Sequence, residues 1–326
     1  MMLVPIVLTL ALIQAATSGP PVAPPAREIA LDTYLLPGAI LPGRGPDGNT
    51  VVLSGPSGLI VVDTGRHPWH SEGILAFAKS RRQPVSVIVN THWHLDHSSG
   101  NRRVKAVYPD AKVYTTRAVD RALSPTGFLT RNYKSARERQ PDPKDPPTRK
   151  EETDLFFATM EASDGLRPDV ALERTNTMSL AGRSMSVRVA ANAVTDADVW
   201  LYDEKTGVAV IGDLVTLPAP FFETACPAGW QKALDEVWAT PFRIAVPGHG
   251  DPMTREQFDT YRGAFARFRS CVGSDSPAAT CAAGWTKDVS PLLASAADRQ
   301  QAGEYAAYYV DFLRKGGGAS ADCLMK

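Results

Sequence analysis

Residues 92–97 read His-Trp-His-Leu-Asp-His, and this hexapeptide constrains the chain more than any other feature. Three imidazoles and a carboxylate in six residues cannot form a core segment. Each buried polar group left without a partner costs about 2–7 kcal/mol. The run follows Pro84-Val-Ser-Val-Ile-Val-Asn90, a β-branched stretch that predicts a buried strand. The cluster therefore stands where a strand ends, the place where layered α/β proteins put their chemistry. Imidazole nitrogen and carboxylate oxygen together suit Zn(2+), with Fe(2+) or Mn(2+) as close seconds.

Three further stretches fall in order behind strand-like runs. Residues 59–65 read Leu-Ile-Val-Val-Asp-Thr-Gly, Ile211-Gly212-Asp213 ends another apolar run, and Val246-Pro-Gly-His249-Gly closes a third. With the hexapeptide these resemble the metallo-β-lactamase superfamily across roughly residues 30–265. The resemblance implies an α/β fold, a four-layer αβ/βα sandwich of two facing sheets with helices outside and metals at one edge. It implies that Asp96, His97 and His249 hold one metal and that His92 and His94 hold another, with Asp213 shared. It also makes Asp63, Asn90 and Thr91 the side chains that orient the imidazoles, and Asp96 a candidate proton acceptor.

One landmark departs from the pattern. Where the family has His-Thr-x-Gly-Asp, this chain has Val194-Thr-Asp-Ala-Asp198. Valine thus stands in place of a metal-binding histidine and coordinates nothing. Three readings stay open: two metals with the first held more weakly, a metal in the second site alone, or ferrous iron on two imidazoles and a carboxylate. The chain has six histidines. The remaining two, His67 and His70, follow the Asp63-Thr64-Gly65 turn and read as solvated loop residues, or else as a replacement ligand or proton shuttle.

The formal net charge is zero, which gives no reason to expect nucleic acid or an anionic membrane surface as partner. A small-molecule substrate is expected, and oligomeric state is left open. Residues 3–13 are apolar but too few to span a bilayer, and Ala16-Thr17-Ser18 follow. Residues 1–18 therefore read as a secretory signal peptide and 19–29 as a Pro-rich linker, with a periplasmic or secreted mature chain. Four cysteines suit that compartment. Cys271 and Cys281 flank a Gly/Ser/Pro-rich loop, a natural local disulfide. Cys226 and Cys323 would pair across the fold or stay free.

The remaining pattern divides the chain into a domain at 30–270 with an insertion at 118–180, and a disulfide-stabilised helical extension at 271–326. The insertion carries the breaker-rich Gln140-Pro-Asp-Pro-Lys-Asp-Pro-Pro and reads as a substrate-selecting excursion beside the site mouth. A hairpin is expected over 51–63. Helices are expected over 70–81, 230–238, from Thr254 with a Thr254/Gln257 capping box, and over 300–315. Tyr305, Tyr308, Tyr309 and Phe312 on the last of these read as packing residues. The expected activity is metal-activated hydrolysis of a small ester, lactone or lactam-type substrate. A non-catalytic metal- or ligand-binding protein and a mononuclear iron oxygenase are the alternatives.

Overall fold

The computed structural model describes residues 21–140 and 142–324; the signal-peptide reading at 1–18 lies outside them. Seven strands form the first sheet in sequential order: β1 (Arg27–Ala30), β2 (Thr33–Leu36), β3 (Thr50–Gly55), β4 (Gly58–Val62), β5 (Val85–Val89), β6 (Lys112–Thr115) and β7 (Val170–Ala171). Pairing is antiparallel through β4 and parallel from β4 to β7. The parallel half needs crossovers. These are α1 (Pro68–Arg81) between β4 and β5, and α2 (Leu95–Ser98) with α3 (Asn101–Val107) between β5 and β6. Three more helices, α4 (Ala118–Ala122), α5 (Phe128–Glu138) and α6 (Pro147–Glu161), precede β7.

The second sheet holds β8 (Asn176–Leu180), β9 (Arg183–Ala191), β10 (Ala197–Asp203), β11 (Val208–Thr216) and β12 (Ile244–His249), in spatial order β12-β11-β10-β9-β8. Only β11 and β12 run parallel, and α7 (Pro227–Ala239) lies between them in sequence. The chain then forms α8 (Arg255–Val272), α9 (Ala278–Val289), α10 (Ala296–Lys315) and α11 (Ala321–Leu324).

Side-chain alternation builds the layers. On β3 and β4, Val51, Leu53, Ile60 and Val62 meet Met185, Val187, Leu201 and Val210 of the other sheet. Their neighbours Val52, Leu59 and Val61 pack instead against Ile74 and Ala78 of α1 and Val104 of α3. The period-2 geometry of a strand buried on both faces requires this split. The outer face of the second sheet is covered by α7, α8, α9 and α10 in one cluster that includes Trp200, Phe222, Trp230, Phe265, Trp285 and Tyr309. The architecture is the expected four-layer αβ/βα sandwich.

Several boundaries differ from the sequence reading. Strand β1 begins at Arg27, inside the stretch read as linker. Within residues 118–180, β7 pairs with β6 and β8 with β9, so 170–180 is largely sheet. Residues 271–313 share the apolar cluster of the second sheet. Their amphipathic helices bury against that sheet, so they are an outer layer of the sandwich and not an appendage. Both disulfides are present, Cys271–Cys281 and Cys226–Cys323. The Thr254/Gln257 capping box forms at the start of α8.

Candidate metal centre

The edge of the sandwich where β4, β5, β11 and β12 end gathers five of the six expected ligands into two clusters. Asp96, His97 and His249 converge in one, and His92, His97 and Asp213 in the other. His92, His94, Asp96 and His97 come from the turn after β5 and the short helix α2, Asp213 from β11 and His249 from the end of β12. All but Asp96 are buried to below a tenth of their surface.

The second half of the centre is compact. His249 Nε2 lies 2.9 Å from Asp96 Oδ2, and His97 Nε2 lies 3.2 Å from Asp213 Oδ1, 3.3 Å from His249 Nε2 and 3.4 Å from Asp96 Oδ2. His249 Nε2 to Asp213 Oδ1 is 3.6 Å. Four ligand atoms around one tetrahedral zinc, with bonds of about 2.1 Å, stand about 3.4 Å apart. The donor set fits such an ion. Asp213 also turns its other oxygen, Oδ2, toward His92 Nε2 at 3.6 Å, so one carboxylate faces both halves. His92 Nε2 and Asp213 Oδ1 are buried without any hydrogen-bond partner. Such orphaned atoms are costly unless a cation completes them.

Glycine makes this approach possible at two points. A Cβ on Gly248 would collide with Asp213 Oδ1, and one on Gly48 with the His97 ring.

Asp63 sets the ring orientations. It follows β4 in the left-handed region, at φ 61°. Its Oδ1 accepts Thr91 N–H at 2.8 Å, and its Oδ2 accepts both the Thr91 hydroxyl and His97 Nδ1, each at 2.8 Å. Thr91 Oγ1 in turn lies 3.0 Å from His92 Nδ1. With the hydroxyl proton spent on Asp63, Thr91 accepts from His92. Both rings thus carry their proton on Nδ1 and present Nε2 to the site. Asn90 acts differently from the expectation that it orients a ring. Its Nδ2 donates to the His97 carbonyl at 3.2 Å and to Asn101.

His94 is the expected ligand outside both clusters, although its ring centroid is 4.3 Å from that of His92. Its Nε2 lies 2.9 Å from Thr224 Oγ1, and that hydroxyl donates to the Val194 carbonyl at 2.9 Å. His94 therefore carries its proton on Nε2, which leaves Nδ1 as its donor atom for a metal. Val194 itself is buried in the apolar cluster of the second sheet. The C-terminal helices support this arrangement. Cys323 is bonded to Cys226, Ser320 Oγ donates to the Glu223 carbonyl, and Trp285 Nε1 donates to the Pro218 carbonyl.

The electrostatics differ between the halves. Burial works against charge on His97, yet Asp213, Asp96 and Asp63 hold its pKa well above the usual imidazole value. His249 is raised in the same way, against burial, by Asp213 and Asp96. Burial pushes His92 well below that value, with His94 and His97 adding to the effect. Burial lowers His94 to about 4, despite the opposing pull of Asp96 and Asp213.

His67 and His70 correct the solvated-loop reading, because both are buried, and neither joins a cluster with the ligands. His67 bridges Asp47 and Glu152 at 2.8 Å each, which ties α6 to the sandwich. His70 Nε2 pairs with Thr50 Oγ1 at 2.7 Å. Both ring nitrogens of His67 and the Nε2 of His70 are thus engaged by oxygen atoms within the fold.

Four of the candidate ligands, His94, Asp96, Asp213 and His249, line a cavity of about 1020 Å³ whose walls include parts of α5, α6 and α10. Sequence reasoning missed two features of the site and its cavity. Thr224 carries no local signal at all. Tyr305 and Tyr308, read as packing, are half exposed at the cavity mouth, whereas Tyr309 alone of the three tyrosines is buried.

This is a protein of the metallo-β-lactamase fold, and its residues 43–163 match the model of the metallo-beta-lactamase superfamily. That segment contains the hexapeptide; Asp213 and His249 lie beyond it and are brought in by the second sheet. Among solved structures, a metallo-beta-lactamase family protein from Thermus thermophilus aligns with TM-score 0.56 and 18% identity, over 88% of this chain and 94% of that one. A metallo-beta-lactamase from Pontibacter korlensis aligns with TM-score 0.53 and 18% identity, over 74% of this chain and 98% of that one. Two curated relatives match short segments. A cytoplasmic hydroxyacylglutathione hydrolase from Arabidopsis thaliana is 36% identical over 47 residues, 14% of this chain and 18% of the relative. A linear primary-alkylsulfatase from Pseudomonas sp. (strain ATCC 19151) is 41% identical over 63 residues, 19% of this chain and 11% of the relative.

Proposed function

We propose that the chain is a metal-dependent hydrolase acting on a small ester, lactone or lactam-type substrate. The observation that carries this reading is the pair of orphaned atoms, His92 Nε2 and Asp213 Oδ1, buried beside a large cavity that Asp213, His94, Asp96 and His249 line. Asp96, His97, His249 and Asp213 would hold one Zn(2+), and His92, His94 and Asp213 a second, weaker one. Zinc supplies a Lewis acid and lowers the pKa of water to about 7, so that hydroxide is at hand at neutral pH. The chain's own part is to hold these donors in place. Asp63, through Thr91 and directly, fixes the Nδ1–H tautomers of His92 and His97, and Thr224 fixes that of His94. Asp96 lies 2.9 Å from His249 Nε2, which favours service as a ligand over that of proton acceptor. The two relatives that match over short segments, a hydroxyacylglutathione hydrolase and an alkylsulfatase, are both hydrolytic by name, which agrees with the class and leaves the scissile group open.

The site would work in an oxidising compartment, periplasmic or secreted. Two disulfides engage all four cysteines, and among the described residues no helix is long and apolar enough to cross a membrane. The test is elemental analysis of protein purified without chelator, followed by a panel of carboxylic, thio- and sulfate esters, lactones and β-lactams. Zinc with turnover supports the reading. Iron with oxygen uptake, or bound metal without turnover of any member, overturns it.

A further inference from the structure

We infer that α10 forms a specificity wall for the substrate, which carries an uncharged apolar arm, alkyl or aryl, lying against Tyr305 and Tyr308. This rests on the hydrolase reading above and names the substrate's shape at the same site. Six large apolar side chains among the described residues are exposed, and three of them, Ile40, Tyr305 and Tyr308, line the cavity above the metal ligands. Single exposed apolar residues mean little, but their gathering at one mouth marks a binding surface.

An unbroken aromatic path joins this rim to the reacting centre. Phe221 stands edge-on to His94 at 5.3 Å between centroids and to Tyr309 at 6.4 Å, and Tyr309 stands 5.0 Å from Tyr308. Phe128 faces Phe221 from the opposite wall at 6.5 Å. A group at the metal centre can therefore continue outward along rings, past Glu304, whose carboxylate is taken up by Gln300 Nε2 at 2.9 Å. The cationic residues in the walls are already engaged: Arg44 and Arg66 with Glu152, and Arg139 with Asp145. Glu223 accepts the Tyr308 hydroxyl at 3.1 Å. The volume of about 1020 Å³ is at the top of the range for small-molecule sites, ample for a long arm.

Binding of straight-chain carboxylates of four to ten carbons, measured calorimetrically on the protein as purified, tests this without requiring turnover. Each buried methylene strengthens binding by about fourfold at most, so a rise on the order of 30-fold or more is expected across the series. Replacing both Tyr305→Ser and Tyr308→Ser should flatten that rise while leaving metal content and thermal melting unchanged. Tyr305→Phe with Tyr308→Phe should preserve it, because the ring faces and not the hydroxyls make the wall. Equal affinity along the series, or an unchanged slope in the serine variant, overturns the proposal. Length-dependent binding without turnover of any ester, lactone or lactam would uphold the wall and defeat the hydrolase reading. Turnover with no length dependence would do the reverse.

Discussion

The half of the metal centre built on Asp96, His97 and His249 and the half built on His92 and His94 come from one loop, yet they differ in charge. In the first-named half, carboxylates surround the imidazoles and raise the pKa of His97 and His249 against the effect of burial. A proton and a metal ion compete there for the same nitrogen atoms. In the other half, burial keeps His92 and His94 neutral, and Thr91 and Thr224 occupy their protonated nitrogens. Its lone pairs are free for a metal, and of its two imidazoles only His92 joins a ligand cluster among the described residues. One half binds protons more strongly than an ordinary imidazole does, the other more weakly. Asp213, with one oxygen toward each, is the link between them.

The largest effect should come from breaking that link. Asp213→Ala is expected to lower affinity in both halves by at least about three orders of magnitude, since ligand bonds make up most of a site's binding energy. Equilibrium dialysis against zinc checks it, and loss from one half alone would show that the carboxylate is not shared. Next is the asymmetry itself. His249→Ala should remove more metal by elemental analysis than His92→Ala, because it breaks the complete set. Equal losses would erase the distinction drawn here.

The supporting side chains should have smaller effects. Asp63→Asn is expected to weaken metal binding about 10- to 100-fold, the usual cost of losing an orienting partner, and to affect both halves because Asp63 holds both His97 and Thr91. Thr224→Val should cost about tenfold, and only in the His92/His94 half. Cobalt spectra of the two-metal protein would separate these outcomes.

Proton release gives the finest test. A raised imidazole pKa makes the proton a stronger competitor of a metal for the same nitrogen. Affinity of the Asp96/His97/His249 half should therefore fall as pH drops, by about tenfold per pH unit for each proton displaced. The His92/His94 half, with His94 lowered to about 4, should release no proton at pH 7. Calorimetry in buffers of different ionisation enthalpy counts the protons. Affinity in the first-named half that does not change with pH would refute the raised pKa values there.

Much of this was legible in the chain itself. The hexapeptide, the strands that carry or lead into Asp63, Asn90, Asp213 and His249, the Thr254/Gln257 cap and the Cys271–Cys281 loop are all written locally. Periodicity, turn chemistry and ligand spacing act over a few residues, and these elements follow from them. The tertiary structure decided the rest. It set Thr224 against His94 across 130 residues and buried His67 between Asp47 and Glu152. It folded residues 271–313 into the core of the second sheet and left Tyr305 and Tyr308 at the cavity mouth while burying Tyr309. A single threonine or tyrosine has no periodic signature of its partner. Its role depends on which distant surface the packed layers bring to it, and that is fixed only when the apolar faces of both sheets are covered.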